Sequence, residues 1–155
     1  MPYLDRIIQP GERVVAIGQL HWIIYLPAIV PGAAGVLLAI WTGFTLPPHD
    51  VRLPAFALAG VLVAVAIVQF LSRYVIRLTT EYAVTNQRVI RKTGLLSLHT
   101  VEINLDRIES VDVDQSLLGR MLGFGTVTIH GTGSRWDPLR NLADPLAFRN
   151  AISAR

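Results

Sequence analysis

The sequence contains no cysteine and very little charge. The first absence excludes disulfides, thiolate metal sites and cysteine nucleophiles. The second is more informative. Charged residues make up 16% of the 155 positions, against roughly one quarter in ordinary soluble domains, and the deficit is local. Between Val14 and Ser72 the only charged residues are Asp50 and Arg52. Paired histidines at metal-ligand spacing are also missing, because His21, His49, His99 and His130 stand far apart. There is no Gly-x-Ser-x-Gly elbow. The glycines of Gly123-Phe124-Gly125 and Gly131-Thr132-Gly133 are not followed by the helix that a phosphate cradle needs. These gaps argue against an enzyme, a resident cofactor or a metal centre.

What is present is apolar material, 52% of the chain. Residues 1–21 carry Asp5, Arg6, Glu12 and Arg13 around a Pro10-Gly11 turn, and do not read as a secretory signal, because the apolar stretch that follows starts late and runs long. Trp22 to Phe44 are free of charge, and as a helix at 1.5 Å per residue this stretch reaches about 34 Å, enough for a hydrocarbon core of roughly 30 Å. Pro27 and Pro31 are tolerated in a membrane helix and predict a kink. Trp22, Tyr25 and Trp41 near the two ends suit interfacial aromatic belts. Thr45–Arg52 (TLPPHDVR) reads as a short polar turn. Leu53 to Ser72 is a second uncharged stretch, about 30 Å as a helix.

The sequence thus predicts a two-helix transmembrane hairpin over residues 22–72, between an N-terminal segment, 1–21, and a domain, 73–155. Gly32, Gly35 and Gly60, among neighbouring alanines, are candidates for helix–helix packing. Arg73 and Arg77 follow the second span and Arg6 and Arg13 precede the first, whereas the connecting turn has Arg52 balanced by Asp50. By the positive-inside rule both termini are cytoplasmic, in a multi-pass protein with Arg73 and Arg77 juxtamembrane.

Beyond Tyr74 the pattern alternates, as in half-buried strands. Strands are expected at Val75–Thr79, Glu81–Thr85, Val89–Lys92, Thr100–Asn104, Ser110–Asp114 and around Val127 and Ile129, in an antiparallel meander. Thr85–Arg88 reads as a tight turn. Ser116 can cap a short helix, Leu117–Leu122, that stops at Gly123, and Asp144-Pro145 opens a final helix with Phe148 and Ile152 on one face. Leu117, Leu118, Met121, Leu122 and Phe124 are expected in the core, because a small β domain needs apolar material to close it.

Several runs together resemble a known family. They are Pro10-Gly11-Glu12, His21-Trp22, Glu81 to Ile90 (EYAVTNQRVI), Val101-Glu102-Ile103, Ile108 to Val111, Gln115 to Arg120 (QSLLGR), Gly123 to Val127 (GFGTV) and Ala143 to Leu146 (ADPL). The chain resembles the bacterial pleckstrin-homology-like, membrane-flanked proteins over most of residues 1–153. The resemblance implies a small mainly-β barrel of about seven strands with a C-terminal capping helix, in the bacterial inner membrane. It says little about activity.

Two clusters carry the remaining expectations. Residues 73–155 hold eleven basic against eight acidic residues, whereas 1–72 hold three of each. Within that excess, Arg88, Arg91 and Lys92 beside the first turn of the β domain are candidate lipid or anion contacts, with a solvated strand edge as the ordinary alternative. Glu102, Asp106, Glu109, Asp112 and Asp114 alternate with apolar residues and belong on a solvent face. The leading expectation is a non-catalytic membrane-anchored interaction module, an accessory or assembly subunit of a larger membrane complex. Its partners are the bilayer and other membrane proteins or itself, with no nucleic acid. A lipid-head-group sensor is the alternative and an uncharacterised enzyme the third reading.

Overall fold

The computed structural model of the protein describes residues 8–45, 51–94, 99–132, 134–135 and 137–154. Arg6, His49, Gly133, Trp136 and most of the polar turn read at Thr45–Arg52 lie outside the described residues.

The chain divides into two compact units. One is Trp22–Arg77; the other is assembled from both flanks, Met1–His21 with Leu78–Arg155. The first unit opens with a 3-10 turn, Trp22–Tyr25, and continues as α1 (Leu26–Thr45) and α2 (Arg52–Thr79). Pro27 falls in the first turn of α1, where an N–H would have no intrahelical partner, and Pro31 lies inside the helix. The two helices are antiparallel, as their contacts run in opposite chain directions. A side chain on Gly35 would come within 2.9 Å of the Ala59 carbonyl oxygen, one on Gly32 within 3.1 Å of Ala66 Cβ, and the Tyr25 and Phe70 rings stack with centroids 5.0 Å apart. Close approach at Gly35 is possible only because it has no Cβ. Gly60 corrects the sequence reading. It faces open space, where an added Cβ would meet nothing within 4 Å, and takes no part in the seam.

The second apolar helix is longer than its uncharged stretch. Val75–Thr79, expected as a strand, forms the last turns of α2. Extending an existing helix adds one hydrogen bond per residue fixed, whereas a strand there would need a new ladder partner, so three β-branched residues do not outweigh helix continuation.

The second unit contains β1 (Val14–Gly18), β2 (Glu81–Thr85), β3 (Arg88–Thr93), β4 (His99–Asn104), β5 (Ile108–Asp114), α3 (Leu117–Leu122), β6 (Phe124–Gly131), β7 (Ser134–Arg135), β8 (Leu139–Ala143) and α4 (Pro145–Ser153). One antiparallel sheet has the order β1-β2-β3-β4. In the other β6 is central, paired with β5, β7 and β8. Just past β1 the chain bonds to β8, through His21 N–H to Asn141 O at 2.7 Å and Ala143 N–H to Gln19 O at 2.9 Å. The sheets therefore join on one side. On the other, β4 passes into a 3-10 turn, Leu105–Arg107, whose Leu105 N–H goes to Gln87 O. Among the described residues no ladder links β4 to β5, so the expected barrel is an open pair of sheets.

Val84, Val89, Ile90, Val127, Ile129, Leu139 and Leu142 are fully buried between the layers, and Phe148 and Ile152 of α4 are buried with them. Gly18 is required here. A Cβ would lie 2.9 Å from both Leu142 Cδ1 and Phe148 Cε2, so any side chain would push β1 away from β8 and α4. The capping signals hold as read. The Ser116 side chain accepts from Gly119 N–H, Gly123 ends α3 in the left-handed region, and Asp144 accepts from Ala147 N–H.

The domain boundaries need revision. Residues 14–18 pair with 82–85 across the whole hairpin, so residues 8–21 of the expected N-terminal segment are part of the β domain and the hairpin is an insertion between its first two strands. Residues 78–154 alone are expected not to unfold cooperatively. Residues 8–21 joined to 78–154 by a flexible linker replacing the hairpin are expected to do so, checked by circular dichroism during denaturation. A second expectation concerns the seam. Gly35→Leu is expected to lower the melting temperature of the detergent-solubilised chain by several degrees, while Gly60→Leu leaves it nearly unchanged.

Candidate functional site

The most concentrated chemistry lies at the end of the β domain where β2 turns into β3. The Pro10-Gly11 turn, with Gly11 at φ 90°, delivers Glu12 to a position where its side chain is wholly buried. Arg88, the first residue of β3, reaches it with two parallel donors, Nε to Oε1 at 2.9 Å and Nη2 to Oε2 at 2.8 Å. The third guanidinium nitrogen, Nη1, donates to Glu102 Oε2 at 2.7 Å. Thr85 Oγ1 donates to Glu12 Oε1 at 2.7 Å and accepts from the N–H groups of Gln87 and Arg88, and Gln9 N–H donates to Glu12 Oε2 at 2.9 Å. Asn86 adds a clasp. Its side-chain oxygen accepts from Arg13 N–H at 2.9 Å while its own N–H donates to Arg13 O at 3.1 Å.

A carboxylate out of water is costly unless its lone pairs are filled, and here they are. Burial pushes the Glu12 carboxyl upward, but the bonds from Arg88, Gln9 and Thr85, together with the Arg88 charge, outweigh it and hold the group below its ordinary 4.5. The Arg88 guanidinium is held above its ordinary value, first by the hydrogen bond to Glu12 and then by the Glu102 charge. The Glu12–Arg88 pair is thus charged at neutral pH and internally neutralised.

This revises the candidate lipid contacts. Arg88 is no surface cation, because its side chain is only 13% exposed and sits between two carboxylates. Arg91 lies 3.6 Å from the exposed Asp137 carboxylate, and Lys92 is half-buried opposite Glu81 in the β2–β3 register. The open hollow beside the turn is lined, among the described residues, by Asn86, Gln87, Asn104, Leu105 and Asp106, none of them a cation that could meet a phosphate. Of the two arginines expected beside the membrane, Arg73 is half-buried and Arg77 is exposed, its guanidinium 5.8 Å from the centroid of the Tyr25 ring. The acidic run lies on the solvent side as expected, with Asp112 paired to His130 at 3.0 Å. Among the described residues no group of three or more His, Asp or Glu could hold a metal ion.

A second correction concerns α3. Leu117 and Met121, expected in the core, are 79% and 81% exposed, and Leu118 and Leu122 are exposed beside them; only Phe124, on β6, is half-buried. The core was already closed by α4 and the two sheets. Sequence reasoning also missed Glu12 as a buried partner. Its only signal was the acid placed directly after a Pro-Gly turn, and nothing local ties it to an arginine 76 residues away.

Two antiparallel sheets joined along one side, with a C-terminal helix packed on β1, β5 and β6, define a pleckstrin-homology-like domain. The family model described as Bacterial PH domain matches residues 14–155, and the chain belongs to that family. The match starts at β1 and so includes the inserted hairpin. No curated protein and no solved structure matches the chain. The PH domain family is generally non-catalytic.

The cluster generates a pH expectation. A carboxyl whose native pKa is depressed contributes stability that is fully present above its unfolded value and is lost as pH falls through the native one. The native domain is therefore expected to lose stability below about pH 4.5. Glu12→Gln is expected to flatten that acid limb while lowering neutral-pH stability by about 3 kcal/mol, since it removes the buried charge that the Arg88 fork meets. Thermal melts of both proteins between pH 3 and 7 check it.

Proposed function

We propose that the protein is a non-catalytic, membrane-anchored interaction module, an accessory or assembly subunit of a larger membrane complex. Its hairpin crosses the bacterial inner membrane and its PH-like domain lies at the cytoplasmic face with both termini.

The observation that carries this reading is the surface of the hairpin. Helical segments of 24 and 28 residues, Trp22–Thr45 and Arg52–Thr79, have mean hydropathies of 2.2 and 2.4 over their most apolar windows, yet only 17% and 11% of those windows are buried. Helices from the core of a soluble protein are mostly buried. Here Val30, Leu37, Trp41, Val61, Ile67 and Val68 face outward and would cost roughly 25 cal/mol per Å² in water. Lipid removes that cost. The polar ends fit as well, with Trp22, Tyr25, Tyr74 and Arg77 at one end of the hairpin.

An interaction role rests on what the domain offers. Its most ordered polar cluster is spent internally on Glu12, Thr85, Arg88 and Glu102, and β3 keeps only Arg91 and Lys92 as further cations, which weakens the head-group-sensor reading. Topology and partnership are tested together. A cysteine at Asp50 is expected to react with an impermeant thiol reagent in intact cells and one at Ser153 only after lysis; the reverse pattern overturns the orientation. Gentle solubilisation is expected to retain a stoichiometric membrane-protein partner. Recovery of the chain with anionic lipid alone would favour the sensor instead.

A further inference from the structure

The short helix α3 is built inside out for a soluble domain. Its inward side is Gly119, where a Cβ would lie 2.6 Å from the Phe124 carbonyl oxygen, so the helix rests on bare backbone. The opposite face carries Leu117, Leu118, Met121 and Leu122, all exposed, flanked by the exposed Arg120. Leu146, on the first turn of α4, is half exposed and adjoins this face, because Asp144 N–H bonds to Gly123 O at 2.9 Å. Five large apolar side chains around one arginine form a patch that water disfavours.

The place of the patch in the domain identifies its occupant. β1 runs from the Glu12 cluster to His21, where the chain leaves the domain, and the next residue, Trp22, opens the hairpin. Phe124, two residues beyond α3, stacks on His21 with ring centroids 5.3 Å apart. The Gln19–His21 segment also bonds to Asn141–Ala143, directly before α4. α3 and Leu146 therefore sit at the exit of the chain toward the hairpin. The Glu12 cluster sits about one strand length away, some 16 Å for five residues.

We propose that α3 and Leu146 form a membrane-docking wedge. Leu117, Leu118, Met121 and Leu122 enter the boundary between head groups and acyl chains of the bilayer that holds the hairpin, and Arg120 stays among the lipid phosphates. The inference rests on the membrane reading of the hairpin, since that bilayer begins within a residue or two of His21. A short helix with an apolar face and a flanking cation suits such a depth, and tethering makes docking intramolecular, so even a small wedge stays engaged.

The absence of cysteine gives a direct test. Met121→Cys, Asp106→Cys and Ile67→Cys variants of the full chain each carry one thiol at a residue that is exposed in the structure. Each is labelled with an environment-sensitive dye and reconstituted into phosphatidylethanolamine–phosphatidylglycerol vesicles with doxyl-labelled lipid. The dye at Met121 is expected to shift to the blue and be quenched by shallow doxyl groups, that at Ile67 by deep ones, and that at Asp106 by neither. Water-like emission at Met121 with Ile67 quenched overturns the wedge and leaves the hairpin reading standing. An unquenched Ile67 overturns both. A blue shift at Met121 without quenching, growing with protein density, assigns the patch to a second copy and overturns the wedge.

Discussion

The fold depends on a closure made across an insertion. Glu12 and Thr85 are 73 residues apart in sequence, and between them lies the whole helical hairpin. The domain exists only if the segment before the hairpin returns to pair with the segment after it, as β1 on β2 and as Glu12 on Arg88. A flexible loop of that length would carry an entropic cost growing with the logarithm of its length. A packed antiparallel helix pair avoids most of it by bringing its ends back within roughly 8–10 Å of each other, not far from the strand spacing of about 4.8 Å. Within the hairpin, the Gly35 seam lets the helices approach.

The ionic lock suits that closure because it is specific where the sheet is not. Strand pairing alone tolerates slippage, and β1 already carries an irregularity between Val14 and Ala16. A guanidinium fork that must meet two oxygens of a buried carboxylate, while a third nitrogen holds Glu102 on β4, admits one register for β1, β3 and β4 together. Lysine could supply the charge but not the fork. Such a buried pair contributes little net stability over an apolar substitute, yet breaking it is expensive, which makes it a discriminator more than a glue.

Much of this was legible in the sequence wherever the signal was local. Uncharged length marked both apolar helices, alternation marked β2 to β6, and the Ser116, Gly123 and Asp144-Pro145 signals set the ends of α3 and α4. Contacts between distant segments were not legible. β1 has the composition of a strand, but its partner lies beyond the hairpin, so 1–21 read as a separate piece. Arg88 looked like a free cation for the same reason, because the residues that neutralise it are 76 and 14 positions away. Val75–Thr79 misread for an energetic reason, a helix already formed being cheaper to continue than a strand is to start. The side chains of α3 were assigned to the core on apolarity alone, and amphipathic periodicity cannot tell an inward apolar face from an outward one.

The insertion also imposes an order on folding. During synthesis at roughly 5–20 residues per second, β1 emerges first and then waits for some sixty residues until β2 can pair with it. In that interval Val14, Val15 and Ile17 have no sheet to join, while the hairpin can already form from local contacts and its own seam. The helices can therefore pair before the β domain has all its strands. β2 and β3 then follow in the chain, and once Arg88 is available Glu12 selects the register. A lock formed from the two flanks of the insertion can close only after the insertion has been synthesised, because Glu12 precedes it in the chain and Arg88 follows it.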